Sequence, residues 1–491
     1  MYNRDRLVII LISILLFRIP VSHIIGDNGC GYLSAPLEMF WCLTLLFGAG
    51  LTITLRGMMH DRVRRGQFSN AANVFSLAKR YTFVASILLL VICMVLYKPV
   101  SLGLFMDSGS RIGFLFVGPA VFLGLFINLN LGYLNGTDNM HAALIGEVIY
   151  AVSIGLCMIL GSIIGVRIGT NISALLRNEE VTAMYGSMGA MAGICVGEAV
   201  TLAVLLAMTL MYQRSFRHLM RSETGRRTEH IADISGRFLF GIFSDGAQEL
   251  FLHLPVLISL LLIRRFGISG EEAASPAVVG ASVGAFYAKY IVLTGIPAVL
   301  ATFPVQGSLK GIAASVNDSD NQRAADKIVR IFARVAYFAI PVVILMTVLS
   351  PVIVPTLYAG RLTTVIGLLT MGSSLIIVYA VTYCFISVLI KLGYNREMLV
   401  VNAASLIIGC VLSVFLIRNK NMGFTGAVAG MLVCYLLSML VCIAILLRNF
   451  HIHFRLLHTV ILPLVIAGII GVLIRLFVSA LYAAAGGDRK S

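Results

Sequence analysis

Residues 399–417 read LVVNAASLIIGCVLSVFLI, nineteen positions without a charge, bracketed by Arg396 and Arg418. As a helix rising 1.5 Å per residue the run is about 28 Å long, close to the hydrocarbon thickness of a bilayer. No water reaches that depth, so a spanning segment must satisfy its own backbone as a helix. Comparable runs recur along the chain: Leu7–Ile25, Pro36–Arg56, Tyr81–Tyr97, Ile112–Tyr133, Ala142–Val166 and Tyr185–Met211, then Phe238–Ile263, Ala277–Val305, Ile328–Leu349, Leu362–Ile390, Leu399–Ile417, Phe424–Leu447 and Leu456–Ala480. They predict an all-α polytopic membrane protein of about 13 transmembrane helices. With 59% hydrophobic and 12% charged residues in 491 positions, no room remains for a soluble catalytic domain, and no enzyme is expected.

The net charge of +15 reads as topology plus an anionic ligand, because no basic patch alternates with aromatics as nucleic-acid binding requires. With the N-terminus inside, twenty-two Lys and Arg fall in inner segments and eleven in outer ones, which predicts a cell-membrane protein with a cytoplasmic N-terminus. Nine cysteines show no CxxC pair and fall mostly inside apolar spans, so neither disulfides nor a metal site is expected. There is no Walker P-loop and no HExxH, which leaves ATP-driven transport and metalloprotease chemistry without support.

The most basic stretch, Gln213 to Gly236, falls after six spans and before seven. Matches on either side of it agree in order: Asn70-Ala71-Ala72 before span three with Arg323-Ala324-Ala325 before span nine, Pro99 with Pro351, and Arg18-Ile19-Pro20 with His253-Leu254-Pro255. They predict a six-plus-six duplication: a lobe at 1–212, a basic cytoplasmic linker at 213–236, a second lobe at 237–450, and an additional helix with a short tail at 451–491.

Ionisable residues deep in a bilayer cost at least ~2.5–3.5 kcal/mol each and mark function or paired structure. Asp245, Glu249 and His253 recur at i, i+4 and i+8 on span seven, so they share one helix face, suited to a coupling Na+ or H+. Lys289 on span eight is the expected counter-charge. Arg18, eleven residues into span one, suits either a phosphate-bearing substrate or a carboxylate of span seven. Arg56 at the mouth of span two and Lys289 are further candidates for the substrate cavity, either one helping Arg18 to hold a pyrophosphate. Pro20 and Pro255 are candidate hinges beside these charges. Glu147 and Glu198 are expected to pair within the first half, and Asn128 and Asn130 to make interhelical hydrogen bonds.

The stretch Gly26-Asp27-Asn28-Gly29-Cys30-Gly31-Tyr32, followed by a span, Gly50-Leu51 with Arg56, Arg65-Gly66 and Ala71-Ala72, resembles the start of bacterial polysaccharide transporters. Lys310 to Gly360, with Ala324-Ala325 and Pro351 to Tyr358, looks like the matching second-half region. These belong to the multidrug/oligosaccharidyl-lipid/polysaccharide exporter superfamily, and the branches most resembled are the stage V sporulation protein B group and the lipid II flippases. The resemblance implies two six-helix lobes in a V around a central cavity, and an alternating-access flippase for a lipid-linked anionic sugar or peptidoglycan precursor. It also implies that Arg18 matches a cavity arginine. The acidic face of span seven departs from a purely cationic cavity. The rival expectation is therefore an organic-cation antiporter of the same fold, with a membrane glycosyl- or phospho-transferase behind it. No cofactor is expected, and the protein is expected to be monomeric in the bilayer.

Overall fold

The computed structural model describes residues 17–221, 223, 229, 231–267, 276–318, 320–418, 422–450 and 457–487. Eleven helices among them are long and apolar enough to cross a membrane, or twelve when one bent pair counts as a span. Side chains that would be anomalous in water line their outer faces. On the third span Phe83, Val84, Leu88 and Val95 are 57–68% exposed. Lipid, as apolar as these side chains, is the solvent such a surface fits.

Two compact units divide the chain, 1–288 and 289–491. The first opens with α1 (Ile19–Leu43), a π-helical turn (Thr44–Ala49) and α2 (Gly50–Arg64). The part of span one before Phe17 lies outside the described residues. Pro20 is the second residue of α1, and the backbone of Phe17 and Arg18 before it is already helical. A break within α1 falls at Gly26, whose φ of 68° and ψ of −179° suit a residue without a Cβ.

Residues 27–35, read from the sequence as a link between two spans, are helical. The polar and small residues there serve packing. A Cβ on Gly31 would strike the Gly280 carbonyl on α8 (Pro276–Ala285), and one on Gly284 would strike the Asp27 carbonyl. Small residues are what allow helix backbones to approach this closely.

The rest of the first unit comprises α3 (Phe68–Lys98), α4 (Val117–Gly136), α5 (Met140–Leu176), α6 (Glu180–Arg221) and α7 (Ile231–Leu262). The seam of α5 and α6 is lined by Gly161, Gly165, Gly189 and Gly193, each facing backbone of the other helix. Thr52 on α2 donates to the Asn128 side chain on α4 at 2.9 Å, the expected interhelical bond. Asn130 bonds its own helix, donating to Phe126 O at 2.7 Å. In the basic segment after α6, Glu229 pairs with Arg62 at 2.5 Å and Glu223 accepts from the Ser69 hydroxyl at 2.7 Å. Glu223 and Glu229 thus tie the segment to the ends of α2 and α3.

The second unit holds α9 (Ile291–Ala301), α10 (Phe303–Asn317), α11 (Asn321–Leu357), α12 (Leu362–Gly372), α13 (Leu375–Lys391), α14 (Asn395–Arg418), α15 (Gly423–Phe450) and α16 (Leu462–Gly487). Asp320 caps α11 by accepting from Arg323 N at 2.9 Å. Lys327 ties α11 to α10 through Gly311 O at 2.8 Å and Ser315 Oγ at 2.7 Å. The α12–α13 pair bends by 51°, so span ten is broken where the sequence suggested one rod. Thr382 donates to Tyr435 O at 2.9 Å, joining α13 to α15.

Candidate functional site

The chemistry-bearing residues of the first unit converge where α1, α2 and α7 pack. Their spacing is set by glycine. A Cβ on Gly50 would strike the Ile242 carbonyl, and one on Gly246 would strike the Leu46 carbonyl, so α7 lies backbone to backbone against α2 and the preceding turn. This contact brings Asp245 beside α2, where its Oδ2 accepts from Thr54 Oγ1 at 2.9 Å. Two turns further along α7, His253 Nε2 lies 2.6 Å from Glu38 Oε2 on α1. Glu38 is 1% exposed and His253 31% exposed, so the pair has a buried end and an open one. Glu249 lies half-buried on the helix between them, and Pro255 falls inside α7 just past His253.

Glu38 is the residue that sequence reasoning missed. It carries the same signal as the others, a carboxyl inside an apolar span, but its partner is 215 positions away. Arg18, directly before α1, has its guanidinium 5.2 Å above the Tyr287 ring, and its charge bears on Glu38. Stacking of this kind satisfies a guanidinium face without a second carboxylate. Arg18, Val21, Leu37, Met158 and Tyr287 line a small, largely apolar crevice. The sequence offered a carboxylate of span seven or an anionic substrate for Arg18; the carboxyl on which its charge bears here is Glu38 of α1.

Lys289, expected to answer the acids of span seven, donates to Ala359 O at 2.5 Å and lies 6.0 Å from the Tyr358 ring centroid. It is 1% exposed and belongs to the second unit. Arg56 is half-buried on α2. Arg334 and Arg475 are exposed on their helices.

Two further features had no sequence signal. Arg264, which the topology count treats as an outer-loop charge, is 5% exposed and forms an ion pair with Asp107, also 5% exposed. It also donates to Gly31 O at 2.7 Å. Glu38, Cys42 and His253 each offer a donor atom, and these atoms lie within 4.8 Å of one another. The cysteine spacing gave no hint of such a group, because its members come from two helices.

Glu198 on α6 is fully buried, and neither carboxyl oxygen has a hydrogen-bond partner among the described residues, against the expectation that it pairs. An orphaned buried polar group costs about 1–3 kcal/mol. Glu198→Met, which removes the carboxyl and keeps an unbranched chain beside Gly124, should raise the midpoint of thermal unfolding in detergent. A lowered midpoint would show that the carboxyl stabilises the fold.

No family model matches the sequence, and no curated protein does. Solved structures share the fold. A multidrug resistance MATE family transporter of the MOP superfamily, in an inward-facing conformation, aligns with a TM-score of 0.64 at 12% identity, over 91% of this chain and 98% of that one. A eukaryotic MATE transporter aligns with a TM-score of 0.59 at 14% identity, over 91% and 96%. A MOP superfamily transporter from Pyrococcus furiosus, described as having a binding pocket of reversed polarity, aligns with a TM-score of 0.57 at 14% identity, over 92% and 95%. The chain thus shares the fold of these MATE transporters, and its many long apolar helices make it a multi-pass membrane protein.

Proposed function

We propose that the chain is an alternating-access antiporter that exports amphipathic organic cations in exchange for inward-moving H+ or Na+. One observation carries this reading: α7 presents Asp245 and Glu249 half-buried on one face, with Asp245 held against α2 by Thr54 at 2.9 Å. Half-buried carboxylates attract a lipophilic cation more strongly than they would in water. Antiport then requires only that cargo and coupling ion compete for the same carboxylates, so that each return trip carries one or the other. The fold supports the reading, since two of the structural relatives are MATE transporters, one of them described as a multidrug resistance protein. In this account the protein lies in the cell membrane as a monomer with its N-terminus in the cytoplasm.

The second reading, a flippase for a lipid-linked anionic sugar, rests on Arg18, which lines that crevice. Two sets of variants separate the readings in cells expressing the protein. Under antiport, Asp245→Asn and Glu249→Gln should each cut export of an organic cation at least tenfold, and Arg18→Ala should cut it far less. If Arg18→Ala abolishes the complementation of a flippase-deficient strain and Arg18→Lys rescues it only partly, the flippase reading replaces antiport.

A further inference from the structure

Going beyond that reading, we propose that Glu38, Cys42 and His253 form a binding site for one divalent transition-metal ion of the Zn2+ class, joining α1 to α7. Glu38 and Cys42 are one helical turn apart and so share a face of α1. His253 reaches the same point from α7, and the three donor atoms lie within 4.8 Å of one another. Zn2+ takes carboxylate oxygen and imidazole nitrogen at about 2.0–2.2 Å and thiolate at about 2.3 Å. In a tetrahedron those bonds hold the donor atoms about 3.3–3.7 Å apart. The present arrangement therefore needs only small side-chain rotations, chiefly a widening of the 2.6 Å Glu38–His253 contact.

The donor set selects the ion. One sulfur, one nitrogen and one oxygen suit Zn2+, Co2+ or Ni2+, whereas Mg2+ and Ca2+ require oxygen throughout. Entry displaces the thiol proton, and the proton shared between His253 Nε2 and Glu38 Oε2 must leave that contact before both atoms can bind the ion. Thiolate and carboxylate then set two negative charges against the two positive charges of the ion, which limits repulsion from Arg18. His253, 31% exposed, is the open side of the site; Glu38 and Cys42 are buried behind it. Three protein ligands leave a fourth position open, as in exchangeable zinc sites. A filled site clamps the helix that carries Asp245 and Glu249, so the ion should also arrest transport.

The test is a Co2+ titration of the full-length protein purified in detergent. The expected result is saturable binding of one ion, with tetrahedral d–d bands in the visible and a thiolate-to-cobalt charge-transfer band in the near ultraviolet, both erased by one equivalent of Zn2+. Cys42→Ser should remove the charge-transfer band and His253→Gln should weaken binding at least tenfold, whereas Cys434→Ser should change neither. Should Cys42→Ser fail to fold, zinc-edge X-ray absorption of the wild-type protein reads the same ligands, with one sulfur among nitrogen and oxygen neighbours. An octahedral spectrum without charge transfer, a band that survives Cys42→Ser, or a zinc shell without sulfur overturns the proposal. These readouts do not depend on which substrate is transported.

Discussion

Arg264→Ala should destabilise the protein by about 3–5 kcal/mol, the usual cost of breaking a buried ion pair by removing one partner. Arg264 and Asp107 are each 5% exposed. The guanidinium also holds Gly31 O at 2.7 Å and lies 3.3 Å from Ser34 Oγ, so it links the end of α7 to α1 and to the turn before α4. Asp107 is fixed in turn, accepting from Gly109 N at 3.0 Å. Without Arg264 its carboxylate remains buried with one oxygen facing no cation. Thermal unfolding of the detergent-purified variant should show a large loss. Arg264→Met combined with Asp107→Asn should recover much of it, because the second change removes the stranded charge while keeping the turn's acceptor. An Arg264→Ala protein as stable as wild type would mean that the pair is not closed in solution.

Gly246→Val should have a comparable or greater effect, about 3 kcal/mol or more, at the far end of what overpacking costs. The reason is what the new Cβ meets. At Gly246 it meets the backbone carbonyl of Leu46, and at Gly50 the backbone of Ile242 and Gly246. Flexible side chains can move aside; two helix backbones in contact cannot without parting α2 from α7. Loss of monodisperse protein on size-exclusion chromatography is the expected result, with Gly246→Ala impaired to a smaller degree. Gly57→Ala supplies the contrast, since nothing lies within 4 Å of a Cβ there, and its yield should match wild type. A well-behaved Gly246→Val would refute the close approach that brings Asp245 to Thr54.

The contrast between these glycines shows what the sequence could reveal. Uncharged runs such as 399–417 announce their own structure, because length and hydropathy alone decide whether a segment can span. The i, i+4, i+8 series of Asp245, Glu249 and His253 was legible for the same reason: helix geometry is local, and α7 is one helix through all three. Pairings across helices were not. The partner of His253 is Glu38, that of Arg264 is Asp107, and Lys289 is held by the carbonyl of Ala359. None of these partnerships leaves a periodicity to read. The Gly26–Ala35 segment misled in an instructive way, since its composition suits a loop in water but a close helix crossing in a packed membrane protein. Glu38 could have been found by the rule that singled out Arg18, a charge too deep in a span to lack a purpose.

The account's central claim, exchange of an organic cation for an inward-moving ion with Asp245 and Glu249 as the shared carboxylates, is tested most directly by flux in proteoliposomes of the purified full-length chain. A radiolabelled lipophilic cation is loaded inside, and an H+ or Na+ gradient is imposed from outside. The account predicts efflux that follows one of these gradients, saturates with cation concentration and falls at least tenfold in the Asp245→Asn, Glu249→Gln double variant. Cation efflux no faster than from protein-free vesicles under either gradient, together with translocation of an undecaprenyl-pyrophosphate sugar by the same vesicles, would contradict it.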